Sequence, residues 1–159
     1  MRAGVWACVV AVTGTLTGAG PAVAAESQWF CGESNWTTVT VSAGSAEVRT
    51  QGCLAVSEGT VTALLVSECK AKDWLGYWPR TTCNAWNLSY KLTDPTGAEY
   101  KGWMRNNSGR FFDTYSTSTH PCVVGEWTYD QASMHDVPSV VNGLGTGFRK
   151  TIEVTDCGE

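Results

Sequence analysis

The chain has 159 residues, with 11 basic and 15 acidic side chains and a formal net charge of −4. An acidic balance without a basic patch argues against nucleic acid and anionic membranes as partners, because Lys70, Lys72 and Arg80 share their segment with Glu68 and Asp73. The length suits one domain large enough to bury a core.

Residues 1–25 read as a secretory signal peptide. Arg2 precedes an apolar stretch over residues 4–12, and Ala22-Val23-Ala24 and Val23-Ala24-Ala25 both fit a small-x-small cleavage site. A membrane anchor needs roughly 20 apolar residues, and Gly and Thr interrupt this stretch. The wording, poor in leucine and rich in Ala, Gly, Thr and Val, is bacterial in type. No second apolar run follows. The expectation is a secreted, extracellular domain over residues 26–159 without membrane insertion, at formal charge −5 once Arg2 has left.

Along that domain apolar residues recur with period two and helical periodicity is nearly absent. Residues 36–42, "WTTVTVS", place Thr37, Val39 and Val41 on one face, and "SAGS" turns the chain into "AEVRTQG" over 46–52. Residues 60–67, "TVTALLVS", are the most apolar run and read as a central strand. "AWNLSYKL" puts Trp86, Leu88, Tyr90 and Leu92 on one side and Asn87, Ser89 and Lys91 on the other. "DPTG" (94–97) has the composition of a type I turn, with "AEYKGWM" returning as the partner strand. "RFFDTY" is a short strand. "VVGEWTYD" (123–130) turns Trp127 and Tyr129 inward and Glu126 outward, and "FRKTIEVT" places Phe148, Ile152 and Val154 inward. Residues 129–147 are too long for a hairpin turn and read as a long polar loop, although Val137, Val140, Val141 and Leu144 argue against full solvation. About eight short strands separated by turn signals predict an all-β, antiparallel sandwich.

Cys8 leaves with the leader and six cysteines remain, an even number that in an exported domain points to three disulfides. Zinc competes poorly, since there is no Cys-x-x-Cys and the domain has only two histidines. If residues 122–129 and 148–157 pair antiparallel, Cys122 lies near Cys157. Cys31 and Cys53 flank the first hairpin, which leaves Cys69 with Cys83. This choice, Cys31–Cys53, Cys69–Cys83 and Cys122–Cys157, is one of 15 arrangements that six cysteines allow.

Chemistry-bearing patterns are scarce. There is no Gly-x-Ser-x-Gly, and a base must sit beside a nucleophile to activate it. His135 adjoins Asp136, but neighbouring residues seldom aim at one another. Asp73, Asp113, Asp130 and Asp136 offer loop carboxylates without a spacing that selects a glycosidase pair. No calcium loop occurs. The expectation is a protein that is not an enzyme, with no catalytic residue, metal or cofactor.

Seven tryptophans lie beyond the leader. Trp86 and Trp127 are in phase with apolar neighbours and are expected in the core; Trp36 and Trp103 could be core or cross-strand pairs. Trp74, Tyr77 and Trp78 lie in "KDWLGYWPRTTCNAW", a loop closed by the expected Cys69–Cys83 bridge. They read either as a lid on the core or as a rigid contact site. "ESQWF" carries Trp29 and Phe30 just before Cys31, either as a free strand able to add to another protein or as the first edge strand of this domain.

"Cys122-Val-Val-Gly-Glu-Trp127-Thr-Tyr129" resembles the Cys-x-x-Gly-x-Trp strand of immunoglobulin-like sandwiches in secreted bacterial proteins, over roughly the last 40 residues. The hallmark inter-sheet bridge of antibody domains is not matched, because Cys122 is better placed for Cys157. The overall form, a leader, an aromatic N-terminal segment and a six-cysteine β domain, is similar to the small adaptor subunits of secreted toxin particles of the umbrella type. That resemblance implies a partner-binding protein with "ESQWF" as the linking segment. The reading is therefore a protein-binding module or adaptor with Trp29, Phe30, Trp74, Tyr77 and Trp78 as contacts. The alternatives are a carbohydrate- or cell-wall-binding module stacking sugars on Trp74, Tyr77 and Trp78, and an inhibitor of a secreted enzyme.

Overall fold

The computed structural model describes residues 27–158, so the signal-peptide segment lies outside the described residues. They form eleven strands: β1 (Gln28–Cys31), β2 (Asn35–Val41), β3 (Gly44–Ser57), β4 (Thr60–Ala71), β5 (Cys83–Thr93), β6 (Glu99–Trp103), β7 (Asn107–Gly109), β8 (Phe111–Pro121), β9 (Gly125–Val137), β10 (Val141–Gly145) and β11 (Phe148–Val154). All pairings are antiparallel and build two sheets. The first has the order β1-β3-β4-β8, with β2 continuing the β1 edge along β3. The second has the order β10-β9-β5-β6, with β11 and β7 on the same two edges. The molecule is a β-sandwich whose core lies between the sheets.

Local chemistry explains the turns. Asp94 Oδ1 accepts from Thr96 N, Ala98 N and the Thr96 hydroxyl, and Gly97 N closes onto Asp94 O at 2.9 Å, as the Asp-Pro-Thr-Gly composition predicts. The β3–β4 hairpin turns through Glu58 (φ 49°) and Gly59 (φ 70°), the two successive positive values of a type I′ turn. It carries β3 five residues past the expected end at Gly52.

The apolar run of β4 is central, flanked by β3 and β8 as expected. Leu54, Leu65, Leu88, Leu92, Trp127, Tyr129 and Ile152 are fully or almost fully buried between the sheets. Gly52 lets β3 approach the second sheet: a Cβ there would sit 2.7 Å from both Phe148 and Tyr129, whose rings meet edge-on at 5.5 Å. The three disulfides join Cys31 to Cys53, Cys69 to Cys83 and Cys122 to Cys157, the arrangement that strand pairing suggests. The β9–β11 ladder brings Gly125 opposite Val154, which places the third bridge just beyond its end.

Two expectations are corrected. Trp86 is not core. The β5–β9 register shifts between Trp86 and Ser89, with Asn87 in the left-handed region at φ 53°. This bulge inserts a residue and reverses the facing, so Ala85 and Leu88 point inward while Trp86 stands on the outer surface. Residues 129–147 are not a loop. β9 runs unbroken to Val137 and hairpins into β10 through a short turn at 138–140. The pattern escapes a hydrophobicity reading because Gln131, Ser133 and His135 occupy inward positions. These side chains are satisfied inside. His135 Nδ1 lies 2.8 Å from Thr146 Oγ1 and Nε2 lies 3.2 Å from Ser67 Oγ, while Ser133 also meets Thr146 at 2.8 Å.

Candidate functional site

The aromatic stretch over residues 72–82 forms a tethered loop between β4 and β5. Its base is held by the buried Cys69–Cys83 bridge and by backbone bonds from Ala71 N to Pro79 O and from Thr81 N to Cys69 O. Its tip is organised by Asp73, whose Oδ1 accepts from Leu75 N (2.9 Å) and Tyr77 N (2.8 Å). Gly76, at φ 89°, makes the reversal. With the backbone held this way, Trp74 (90% exposed), Leu75 (58%) and Tyr77 (68%) project into solvent. They are not a lid on the core. Trp78 is half-buried on the returning arm.

The loop continues onto the outer face of the first sheet. Cross-strand neighbours Trp36, Arg49, Glu68 and Phe111 form one row across β2, β3, β4 and β8. Glu68 is almost fully buried there, 2.7 Å from Arg80 Nε and 3.5 Å from Arg49. Arg80 also lies over the Phe111 ring at 5.8 Å, and Lys70 caps the Trp36 ring at 4.5 Å. Exposed rings and cations thus alternate beside the loop.

Trp29 and Phe30 belong to β1, which is paired along β3 from Gln28–Val56 to Cys31–Cys53; the N-terminal segment is an edge strand rather than a free arm. Alternation splits the two rings. Phe30, opposite Leu54, packs against the main core, whereas Trp29 lies outside and meets Tyr115 edge-on at 6.1 Å. A small second cluster, Cys53, Leu64 and Val66, sits on this outer face, with Tyr115 opposite Leu64. The structure therefore places Trp74 and Tyr77 on one loop and sets Trp29 roughly 30 Å from the loop's base at Ala71, the nine steps of β3 from Ala55 to Ala46 at about 3.3 Å each. Trp36 and Phe111 are additions to the expected contacts. Trp36 was legible, being out of phase with Thr37, Val39 and Val41; Arg80 and Phe111 join only through the fold.

Both histidines are packed against neighbouring side chains. His135 is fully buried, and desolvation lowers its pKa from 6.5 to about 4, with the charge of Asp136 opposing. The neighbouring Asp136 alternates to the other face and accepts from Gly143 N at 2.6 Å. His120 stacks on Tyr100 at 4.5 Å and bonds to Tyr90 Oη at 3.1 Å, and burial lowers its pKa too. Among the described residues no group of three His, Cys, Asp or Glu side chains converges as a metal site, and no helix is long and apolar enough to cross a membrane.

Comparison with protein-family models, curated proteins and solved structures finds no match. The functional argument accordingly rests on the site alone.

Proposed function

We propose that this protein is a secreted, non-catalytic module that binds another exported protein through the 72–80 loop and the adjoining outer face of the first sheet. The observation that carries this reading is the exposure of Trp74, Leu75 and Tyr77 on a loop already immobilised by a disulfide and by Asp73. Large rings that are ordered before binding lose little entropy on association, and Trp, Tyr and Arg are the side chains that dominate protein interfaces. The cations beside them, Lys70, Arg80 and Arg49, suit the carboxylates and carbonyls of a protein partner. A sugar platform needs free polar acceptors beside its rings, whereas Asp73 Oδ1 is taken by the loop's own backbone and Glu68 by Arg80 and Arg49. The leader-like segment and three disulfides support an extracellular location.

An adaptor subunit of an extracellular toxin complex, the role that the umbrella-type resemblance implies, is the specific form of this proposal; an inhibitor of a secreted enzyme would use the same surface. An adaptor needs two contacts, and Trp29 at the far end of the sheet is the second. The test is affinity purification of the tagged protein from native culture supernatant, with co-purifying chains identified by mass spectrometry. Trp74→Ala with Tyr77→Ala should remove one stoichiometric partner and Trp29→Ala another. A clean monomer with no companion would sink the reading, and loss of one and the same partner from both sites would sink the adaptor form.

A further inference from the structure

The opposite side of the sandwich has a different chemistry. On the outer face of the second sheet Trp103 lies across from Ser89, and Ser89 across from Ala132, so a large ring on β6 stands beside two small residues on β5 and β9. The result is a shelf of about 390 Å³ with the 64%-exposed Trp103 ring as its wall. Further along β5, Ser108, Asn84 and Asp136 form a second row across β7, β5 and β9, and with the bulged-out Trp86 they line a polar hollow of about 480 Å³. Trp86 is seated by Met134 opposite it and by Gly143, where an added Cβ would come within 3.7 Å of the indole.

We infer that this face is a groove for a neutral polysaccharide chain. Three features point to that ligand. Indole faces carry partial negative charge and receive the polarised C–H face of a sugar ring, while amide and carboxylate groups at their sides bond vicinal hydroxyls. Trp86 with Asn84 and Asp136 supplies that combination, and Trp103 shares its shelf with the Ser89 hydroxyl and the Asp130 carboxylate. The two hollows are separated along β5 by the span from Asn84 to Ser89, roughly 15 Å at a strand's rise, so the occupant is several rings long rather than a single sugar. The charged groups near the shelf are already engaged: Lys91 and Lys101 share Glu99, at 3.1 and 3.3 Å, and Asp130 lies 3.8 Å from Arg149. A strongly charged ligand would have to break those pairs, whereas a neutral one need not.

A third hollow, of about 410 Å³, shares Asn106 and Asn107 with the second and continues it towards β8. It is lined by Asp113 and Thr114, whose Oδ1 and Oγ1 are buried without a hydrogen-bond partner.

This site is independent of the protein-binding loop, and the experiment separates them. The purified protein is run by native affinity electrophoresis through gels containing hydroxyethylcellulose, starch, laminarin, xylan or galactomannan, with polygalacturonate as the charged comparison. At least one neutral polysaccharide should retard it. Trp103→Ala, at a ring too exposed to support the fold, and Asn84→Ala should each weaken the retardation, the former by about tenfold, as expected for one lost stacking contact. Trp74→Ala should leave it unchanged. The inference is overturned if no neutral polysaccharide retards the protein, if only polygalacturonate does, if Trp103→Ala binds as the parent does, or if Trp74→Ala abolishes binding. Loss of a co-purifying protein chain on Trp103→Ala, without any sugar effect, would reassign the face to a protein.

Discussion

Acidification puts a proton demand on His135 that the folded protein resists. Its imidazole is fully buried among Ser67, Ser133 and Thr146, and burial depresses its pKa from 6.5 to about 4. Between those values the unfolded chain binds a proton that the native chain does not, so stability falls as the pH falls through this window. Above 6.5 neither state is charged at this residue and its contribution is constant; below about 4 both are charged and the loss levels off. Each pH unit within the window costs about 1.4 kcal/mol, which over its full width amounts to roughly 3 kcal/mol. That is a large share of the 5–15 kcal/mol typical of a domain. The assay is guanidinium unfolding with disulfides intact, followed by the fluorescence change on exposing the buried Trp127, at several values from about pH 7 to pH 4. His135→Gln keeps a polar group that can reach Thr146 or Ser67 but removes the titration. Asp94, which burial would raise but whose hydrogen bonds from Thr96, Ala98 and Tyr100 lower, and His120 also weaken the protein in acid, and both cancel in the comparison. The parent should lose roughly 3 kcal/mol more than the variant between the ends of that range. Equal slopes would refute the account.

Other consequences follow from packing. Gly52→Ala forces a Cβ into the Tyr129 and Phe148 rings and should destabilise by about 1–3 kcal/mol in the same unfolding assay. Trp127→Ala, at a fully buried ring whose Nε1 donates to Val123 O at 2.8 Å, should cost about 3–5 kcal/mol and lower the thermal midpoint accordingly. Replacing Cys69 and Cys83 together by Ser opens a bridge across 14 residues of sequence. It should cost about 3 kcal/mol and make the 72–80 loop a preferred site of limited proteolysis. By contrast, Trp74→Ala should change stability by less than about 0.5 kcal/mol, because the ring is almost wholly in solvent.

Much of the architecture is a local property of the chain. Alternation along residues 36–42 and 60–67, the Asp-Pro-Thr-Gly turn and the inward phase of Trp127 and Tyr129 each follow from neighbours two to four residues away. The disulfide pairs were legible for a related reason: hairpin symmetry places Cys31 opposite Cys53 once β3 is recognised, and the β9–β11 ladder brings Cys122 towards Cys157. Exposure of the loop rings was half legible, since a bridged loop can lie over a core or stand away from it, and Asp73 decides by turning the chain outward. The facing of Trp86 was not legible. A bulge at Asn87 reverses the alternation without changing the composition. Nor was the continuation of β9 over residues 131–137, because its inward Gln131, Ser133 and His135 are polar and become a core face only when Ser67, 68 residues earlier in the chain, meets His135. Hydrophobic pattern reports which groups avoid water, and it cannot report polar groups that are satisfied by partners distant in sequence. For that reason residue order determined most of the strands and their bridges, and tertiary packing decided the sheet order, the facing of Trp86 and the polar half of β9.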